Sequence, residues 1–170
     1  SLAYYTMGPW ATAMVPADQD VMIKLPRTVT EDTSGDKNTA ESGTIGVGVD
    51  GVSIFSETTS NSYSNSDGNN EGSGDGIWNE DAWKDEQWSL DTTGNGHTNA
   101  GGKYHYHASP KQLYGDISAG HSPIVGWGLD GVPIYGPYGY SDSMDANSAV
   151  VRMETGYSLR NITDRTTLPD

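Results

Sequence analysis

Short apolar runs separated by polar, glycine-rich stretches dominate the hydrophobic pattern of the chain. No stretch carries Ala, Leu, Glu and Lys in the 3.6-residue rhythm of a long helix. Short apolar runs bounded by Gly, Asn and Asp are instead typical of β-strands. The pattern therefore predicts an all-β domain, a barrel or a sandwich, with one or two short helices.

Two β-hairpins are predicted where apolar residues alternate around an Asp-Gly pair, at Asp50 and at Asp130. Asp-Gly favours a type I′ turn, which needs positive φ at both central positions. Segments 45–55 and 125–135 also align with each other, with glycines, the Asp-Gly pair, Val and Ile at corresponding positions. We therefore expect two equivalent hairpins about a pseudo-twofold axis, whose glycines allow close backbone approach.

Further strands are expected at residues 11–15 and 21–25, and one or two more between residues 150 and 170. Residues 56–76 form a long run of Ser, Asn, Gly and Asp. Such a run offers no apolar face, so it predicts a polar surface loop outside the core.

Two short helices complete the prediction. One covers residues 77–88, although its three tryptophans do not share one helical face. The other opens at Ser109 as N-cap, with Pro110 at the first helical position.

The length of 170 residues indicates one domain over residues 1–170, large enough for a core of its own. Only 34% of the residues are hydrophobic, but there are 5 Trp and 10 Tyr. Because each buried ring removes a large apolar area from water, we expect most of these rings to fill the core.

Charge and composition exclude several classes of partner. Lys and Arg number 9 against 23 Asp and Glu, a net charge of −14 that repels nucleic acid. No apolar run approaches the ~20 residues of a membrane span. The chain has no cysteine, so it has no disulfide and no thiolate ligand. Its acidic, Asn/Ser/Thr-rich and aromatic composition favours a secreted or cell-surface protein, with a glycosylation sequon at Asn161.

The candidate chemistry lies in the four histidines. His105 and His107 are two residues apart, so on a strand they share a face, with Tyr104 and Tyr106 opposite. His97 or His121 can reach the same face from a neighbouring segment, and imidazoles suit zinc or copper. The predicted metal ligands are His97, His105, His107 and His121.

Other side chains are candidates for supporting these ligands, because metal-bound imidazoles usually donate their second N–H to a fixed acceptor. The candidates are Tyr104, Tyr106, Asp91 and Asn95. The alternative is that the histidines are structural, hydrogen-bonded to main chain in a glycine-rich fold, or that they sense pH.

A weaker signal is a possible calcium loop, because carboxylate and amide oxygens are the ligands that Ca²⁺ prefers. It is formed by Asp67, Asn69, Glu71 and Asp75. The segment lacks the twelve-residue EF-hand pattern, so a solvated loop is the competing interpretation.

Residues 102–107, followed by the second hairpin, closely resemble the YHYH domain family, which is named for the tetrapeptide at residues 104–107. Gly96 and His97 match its Gly-His element, and the resemblance spans about residues 45–160. It implies a secreted or surface protein of largely unassigned biochemical role. The family-typical positions, without agreed roles, are His97, Tyr104, His105, Tyr106, His107, His121 and Asp130.

The resemblance also implies that longer members continue past Asp170. A fragment, or a processed piece that pairs with the remainder of a precursor, is therefore one interpretation of this chain.

Three functions remain open. The first is an extracellular metal-binding β domain that uses the histidine cluster. The second is a structural or adhesive building block that self-assembles, with structural histidines. The third is a metal-dependent hydrolase or oxidase, since a metal with an open position activates water. The aromatic residues also make carbohydrate a candidate partner.

Overall fold

A computed structural model of the chain describes residues 15–31, 33, 42–72, 74–115, 120–156, 162 and 164–167. These residues form mostly β-structure with two short helices, which confirms the predicted fold class. The elements in chain order are β1 (Thr44–Gly48), β2 (Ser53–Phe55), β3 (Thr58–Ser64), β4 (Asn69–Glu71), β5 (Asn79–Asp81), α1 (Ala82–Glu86), β6 (Gly96–Thr98), β7 (Tyr104–Tyr106), α2 (Lys111–Tyr114), β8 (Ile124–Gly128), β9 (Pro133–Tyr135), β10 (Tyr138–Tyr140) and β11 (Val150–Arg152).

The strands are arranged in three sheets within the described residues. The largest has six strands in the order β6-β7-β2-β1-β8-β9, and the others are β4-β3-β5 and β10-β11. β7 joins β2 in parallel and β6 antiparallel, while β1 pairs with β8 antiparallel. None of these described sheets closes into a barrel, so of the two predicted architectures the open, sandwich-like one fits.

The two predicted hairpins lie side by side about a pseudo-twofold axis. In the pairing of β1 with β8, Gly46 faces Gly128 and Gly48 faces Gly126, as a twofold relation between the repeats requires. A Cβ on Gly46 would lie 2.7 Å from a carbonyl oxygen of the facing strand, and one on Gly126 would lie 2.6 Å from its counterpart. The repeated glycines therefore allow the two hairpins to meet.

The hairpin turns differ from the predicted type I′. Gly51 has a φ of +85°, but Asp50 is not at positive φ. The Gly48 N–H donates to the Val52 carbonyl at 2.7 Å and closes a loop of three residues. The loop is therefore a turn followed by a glycine in the left-handed backbone conformation. The second hairpin has the same loop, with Gly131 in that conformation.

Residues 56–76 are not the predicted loop, because they contain β3 and β4. Thr59, Ser62 and Ser64 of β3 are buried. The side chains are small and their polar groups are satisfied locally, as when the Ser64 hydroxyl donates to Asp67 at 2.7 Å. A polar strand of this kind lacks the apolar alternation by which strands are predicted.

Helical structure at residues 77–88 is shorter than predicted. Residues 79–81 form β5, and α1 begins only after Asp81, whose carboxylate accepts the Lys84 N–H at 2.9 Å. At α2 the N-cap is Pro110 without a side-chain cap, so the predicted cap at Ser109 is wrong.

The predicted strand at residues 21–25 is not formed, whereas β11 confirms a strand in the C-terminal segment. Of residues 11–15, only Val15 lies within the described part of the chain.

The interior is more polar than the aromatic content predicts. Among the described residues the buried apolar side chains are Ala82, Tyr106 and Val125, and more serines and threonines are buried than that. Trp83 and Trp88 are 49% and 45% exposed, so these two rings do not fill the core. Because the described apolar core is small, a polar site can contribute a larger share of the stability.

The described residues contain no helix that is long and apolar enough to cross a membrane.

Candidate metal centre

Strand β7 and the residue directly after it carry the two histidines of the motif. His105 and His107 lie on one face, while Tyr106 on the opposite face donates its hydroxyl to Asp50 at 2.7 Å. β6 pairs with β7 so that His97 stands directly opposite His105. The predicted alternation and the approach of His97 are both found.

The three rings point their Nε2 atoms at one another. His97 Nε2 lies 3.0 Å from His105 Nε2, which lies 3.1 Å from His107 Nε2. Glu86, the last residue of α1, adds its Oε2 at 3.1 Å from His97 Nε2 and 3.2 Å from His107 Nε2. All four atoms lie within 4.8 Å of one another, so this cluster could hold a metal ion. We call these four residues the His₃Glu cluster.

Hydrogen bonds on the outer sides of the rings fix their tautomers. His105 Nδ1 lies 3.1 Å from the Lys103 carbonyl and His107 Nδ1 lies 2.9 Å from the Ser56 carbonyl. Because a carbonyl only accepts, both Nδ1 atoms must carry the proton. In a neutral ring, Nε2 then presents a lone pair to the centre of the cluster.

A serine hydroxyl fixes the tautomer of His97 in the same way. Ser89 Oγ donates to the Glu86 carbonyl at 2.7 Å, so its single hydrogen is used. At 2.7 Å from His97 Nδ1 it can therefore only accept, and His97 also carries its proton on Nδ1. One serine thus links the backbone of Glu86 to the ring of His97.

The electrostatics of the cluster keep these groups in the ligand form. The pKa of His105 is lowered to about 4, chiefly by burial; the Lys103 carbonyl and Glu86 oppose the lowering, and the nearby His97 and His107 add to it. Burial raises the pKa of Glu86, but the contacts with His107 and His97, which are attractive when those rings are protonated, outweigh it and bring the pKa down to about 2. At neutral pH, His105 is therefore neutral and Glu86 is ionised.

Phe55 supplies the apolar wall of the cluster. Its ring stacks on His105 with centroids 3.8 Å apart and meets His107 edge-on at 5.7 Å. His105 is only 2% exposed. The rings are thereby held by packing as well as by hydrogen bonds, which is how proteins fix metal ligands.

A cavity of about 610 Å³ opens onto the cluster. The four cluster residues line it together with Phe55, residues 58–61 of β3 and the turn after α1. The volume is within the range of small-molecule sites.

The comparison with known families matches these features. A family model described as YHYH protein matches residues 22–169. This chain belongs to the YHYH family. Comparison with curated proteins and with solved structures finds no match. The tetrapeptide for which the family is named thus supplies two of the three clustered histidines and the two tyrosines behind them.

The fourth histidine of this YHYH domain lies apart from the His₃Glu cluster. His121 packs edge-on against Tyr135, with centroids 5.1 Å apart, and tilted against Tyr140 at 5.2 Å. Its Nδ1 lies 2.7 Å from the Ser122 carbonyl. Of the two histidines expected to complete the pair at 105 and 107, the structure brings in His97 and not His121.

The residues predicted to support the metal ligands form hydrogen bonds with other groups instead. Tyr104 donates its hydroxyl to Asp91, which also accepts the Thr93 and Gly94 N–H groups at 2.8 and 2.6 Å. Asn95 donates to the Ser109 carbonyl at 2.9 Å. The acceptors of the three Nδ1 protons are instead Ser89 and the carbonyls of Lys103 and Ser56, so that prediction is corrected.

At the predicted calcium loop, Asp67 accepts the hydroxyls of Ser64 and Ser66, and Asp75 accepts from Asn65 at 2.7 Å. Asn69 and Glu71 are the ends of β4. The calcium loop stays a prediction, and Asn161 lies outside the described residues.

Sequence reasoning missed Glu86 and Ser89. They lie eleven and eight residues before His97 in a Trp-rich acidic segment, and no spacing rule distinguishes Glu86 from its acidic neighbours. Only the tertiary packing of α1, which contacts β3 and β5, brings Glu86 to His97 and His107 and so selects it.

Proposed function

We propose that this YHYH domain binds a divalent transition-metal ion, with zinc and copper the first to test, through His97, His105, His107 and Glu86. The observation that carries the proposal is the convergence of four acceptor atoms without a donor. The three Nε2 atoms present lone pairs, and Glu86 Oε2 is buried with no hydrogen-bond partner among the described residues. Acceptors in such contact repel one another unless a cation or protons lie between them.

The spacing of the acceptors supports a metal ion. A tetrahedral zinc ion with bonds of 2.0–2.1 Å separates its ligand atoms by about 3.3–3.4 Å. Four of the six separations between the ligand atoms, at 3.0–3.2 Å, need only a small expansion to reach that value, and the other two pairs lie within the 4.8 Å that spans the cluster. Three imidazoles and a carboxylate form a donor set suited to zinc, copper or iron.

The alternative that the histidines are structural and bonded to main chain applies only to their Nδ1 atoms, on the outer side of the rings. His105 and His107 do bond to main-chain carbonyls, but through Nδ1. This contact leaves Nε2 directed inward and is the contact that metal-bound histidines usually make. Protons on the imidazoles are the competing occupant of the cluster.

The test is metal content and metal titration of the purified domain. We expect one zinc or copper ion per chain in the wild type, with nitrogen ligands in the X-ray absorption spectrum. The double variant His105→Ala/His107→Ala should bind none, and His121→Ala, outside the cluster, should bind as the wild type does. Equal metal content in the wild type and the double variant overturns the proposal.

Catalysis at the same site is a second candidate, favoured by the cavity of about 610 Å³ that opens onto the cluster. With four protein ligands a tetrahedral zinc ion has no open position, so an activated water would need a bound metal ion of higher coordination number, such as copper or iron. An activity screen of the metal-loaded protein, with His107→Ala as the inactive control, tests it.

We also propose a secreted or cell-surface location. The acidic composition, with a net charge of −14, and the membership of the YHYH family support it. Fractionation of the producing cells should find the protein in the medium or at the surface.

A further inference from the structure

The four side chains of the His₃Glu cluster come from two different parts of the fold. His97 and His105 lie on β6 and β7 of the six-stranded sheet, and His107 directly follows β7. Glu86 ends α1, a helix of five residues that packs on β3 and β5 of the three-stranded sheet. The carboxylate therefore reaches the imidazoles from a separate, short element, and it can leave them without a change in the strands that hold the rings.

The three imidazoles are anchored from outside the cluster, whereas the carboxylate is not. Each ring has a hydrogen bond at Nδ1, to the Ser89 hydroxyl or to a main-chain carbonyl. Carboxylates that bind metal ions are usually held by hydrogen bonds of their own. No described residue donates a hydrogen bond to the Glu86 carboxylate. Glu86 is thus the one member of the cluster whose orientation depends on the cluster itself.

Glu86 is also the most accessible member of the cluster. Its side chain is 26% exposed, against 15% for His97 and 4% for His107, and His105 as a whole residue is 2% exposed. All four residues line the cavity of about 610 Å³. A small molecule in this cavity can therefore approach an ion in the cluster, and Glu86 is the ligand with room to move aside.

The charges around the cavity select the kind of molecule that can enter. Its described lining contains no Lys or Arg, and its acidic side chains are Asp85 and Glu86. A displaced Glu86 carboxylate stays beside the ion, so an incoming anion would meet two carboxylates. Repulsion between like charges at such distances is much stronger in a partly enclosed site than in bulk water. An uncharged donor avoids this repulsion.

We propose that Glu86 is a displaceable metal ligand, and that a small uncharged nitrogen or oxygen donor, such as an imidazole or an alcohol, enters from the cavity and takes its place on the ion. This inference rests on the proposed metal-binding function. In the exchange, the bond between the ion and Glu86 Oε2 breaks and a bond between the ion and the donor atom forms. No proton or electron is transferred, and the three imidazoles hold the ion throughout.

The experiment uses the whole domain loaded with cobalt(II), whose visible absorption changes with its ligands. Imidazole is the uncharged probe and azide is the anionic probe, each titrated at about pH 8, where imidazole is mostly unprotonated. Metal content is measured after filtration of the same samples. We expect imidazole to change the spectrum saturably, with one molecule per ion, while the ion stays bound to the protein.

Glu86→Ala removes the ligand that has to be displaced. The variant should bind cobalt more weakly, but once loaded it should bind imidazole about tenfold more tightly than the wild type does. Azide affinity should rise further than imidazole affinity, because a negative charge has also been removed. Glu57→Ala is the matched control, since Glu57 is an exposed glutamate that does not line the cavity.

Two further variants keep the test independent of the folding of Glu86→Ala. Glu86→Gln preserves the size of the side chain and should also raise azide affinity more than imidazole affinity. Asp85→Asn keeps all four ligands and removes the second acidic group of the cavity, so azide affinity should rise about threefold while imidazole affinity stays unchanged.

The outcomes separate this inference from the metal proposal. If the wild type binds cobalt but imidazole leaves the spectrum unchanged or strips the ion, the displaceable-ligand inference fails and the metal proposal stands. Equal imidazole affinity in the wild type and Glu86→Ala means that the donor adds beside Glu86, which also overturns the inference. If azide gains no more than imidazole in the variants, the selection of an uncharged donor is wrong. A wild type that retains no cobalt, zinc or copper overturns both proposals.

Discussion

At the scale of single residues, the geometry of the cluster depends on groups that lie outside it and would not be ligands of the proposed metal ion. The Ser89 hydroxyl and two main-chain carbonyls take the three Nδ1 protons, and this leaves three Nε2 lone pairs directed into the cluster. Two of these acceptors are backbone and cannot be removed by substitution. Ser89 is therefore the residue at which the orientation of a ligand can be tested.

Ser89→Ala removes the acceptor of the His97 Nδ1 proton. We expect metal affinity to fall roughly 10–100-fold, the usual cost of losing a group that orients a ligand. Competition with a chelator of known affinity measures the change. Ser66→Ala is the control, since Ser66 is an exposed serine that donates to Asp67. An unchanged affinity in Ser89→Ala would show that Ser89 does not orient His97.

Glu86→Gln distinguishes a metal ion from protons in the cluster. In the wild type, the Nε2 atoms of His97 and His107 lie 3.1 and 3.2 Å from the Glu86 carboxylate. The side-chain amide of the variant can donate its N–H groups to the lone pairs of these two nitrogens. The metal-free variant should then gain about 1–3 kcal/mol in its free energy of unfolding, while its metal affinity falls. Urea unfolding in the presence of a chelator measures the gain.

The exposed Glu57 offers the control Glu57→Gln. If Glu86 instead accepts from protonated imidazoles, the same change removes charge-assisted bonds. The metal-free variant then loses stability, and the metal proposal is weakened.

At the scale of elements, the repeated hairpin is the feature that the sequence predicts best. The His₃Glu cluster lies next to it, because β7 pairs with β2 of the first hairpin. The Asp-Gly pairs and the shared glycines at 45–55 and 125–135 are local and repeated, so they predict both the hairpins and their meeting. β3 could not be predicted because Ser62 and Ser64 are buried yet polar. That His105 and His107 share a face can be predicted, because side chains two residues apart on a strand point to the same side. The contribution of Glu86 cannot, because it comes from α1, whose position is set by tertiary packing.

Gly126→Ala tests the pseudo-twofold contact. The new Cβ would lie 2.6 Å from the Val47 carbonyl oxygen and 2.9 Å from the Ile54 side chain. Because the obstacle is backbone at the centre of the sheet, we expect a loss of about 1–3 kcal/mol. Gly120→Ala, with nothing within 4 Å of the new Cβ, should stay within about 0.5 kcal/mol of the wild type in urea unfolding. Equal stabilities would contradict the close approach.

At the scale of the whole molecule, stability should depend on the metal. The described core is small and rich in serine and threonine, so apolar burial contributes little for a chain of 170 residues. A metal ion bound by the cluster would link His97, His105, His107 and Glu86 and would replace some of that missing contribution.

Metal should therefore raise the melting temperature. At a free concentration of 100 times Kd, binding adds about 2.7 kcal/mol, which for a domain of this size is a rise of roughly 5–11 °C. A chelator should reverse the rise, and the His105→Ala/His107→Ala variant should show none. A rise of the same size in that variant would place the stabilising ion elsewhere.

The pH dependence of the metal-free domain follows from the buried imidazole. His105 has a pKa of about 4 in the folded state against 6.5 as its ordinary value, because burial disfavours the charged ring. Between these values the unfolded chain binds the extra proton, so stability is full above about pH 6.5 and falls as the pH drops toward 4.

Metal should steepen this dependence, since the ion needs neutral imidazoles and competes with protons for them. Melting curves at pH 7 and pH 5, with zinc and with a chelator, measure both slopes. We expect a lower melting temperature at pH 5 in each case and the larger drop with zinc. Parallel slopes would mean that the ion does not compete with protons for the imidazoles, and that its ligands are not the three rings on β6 and β7.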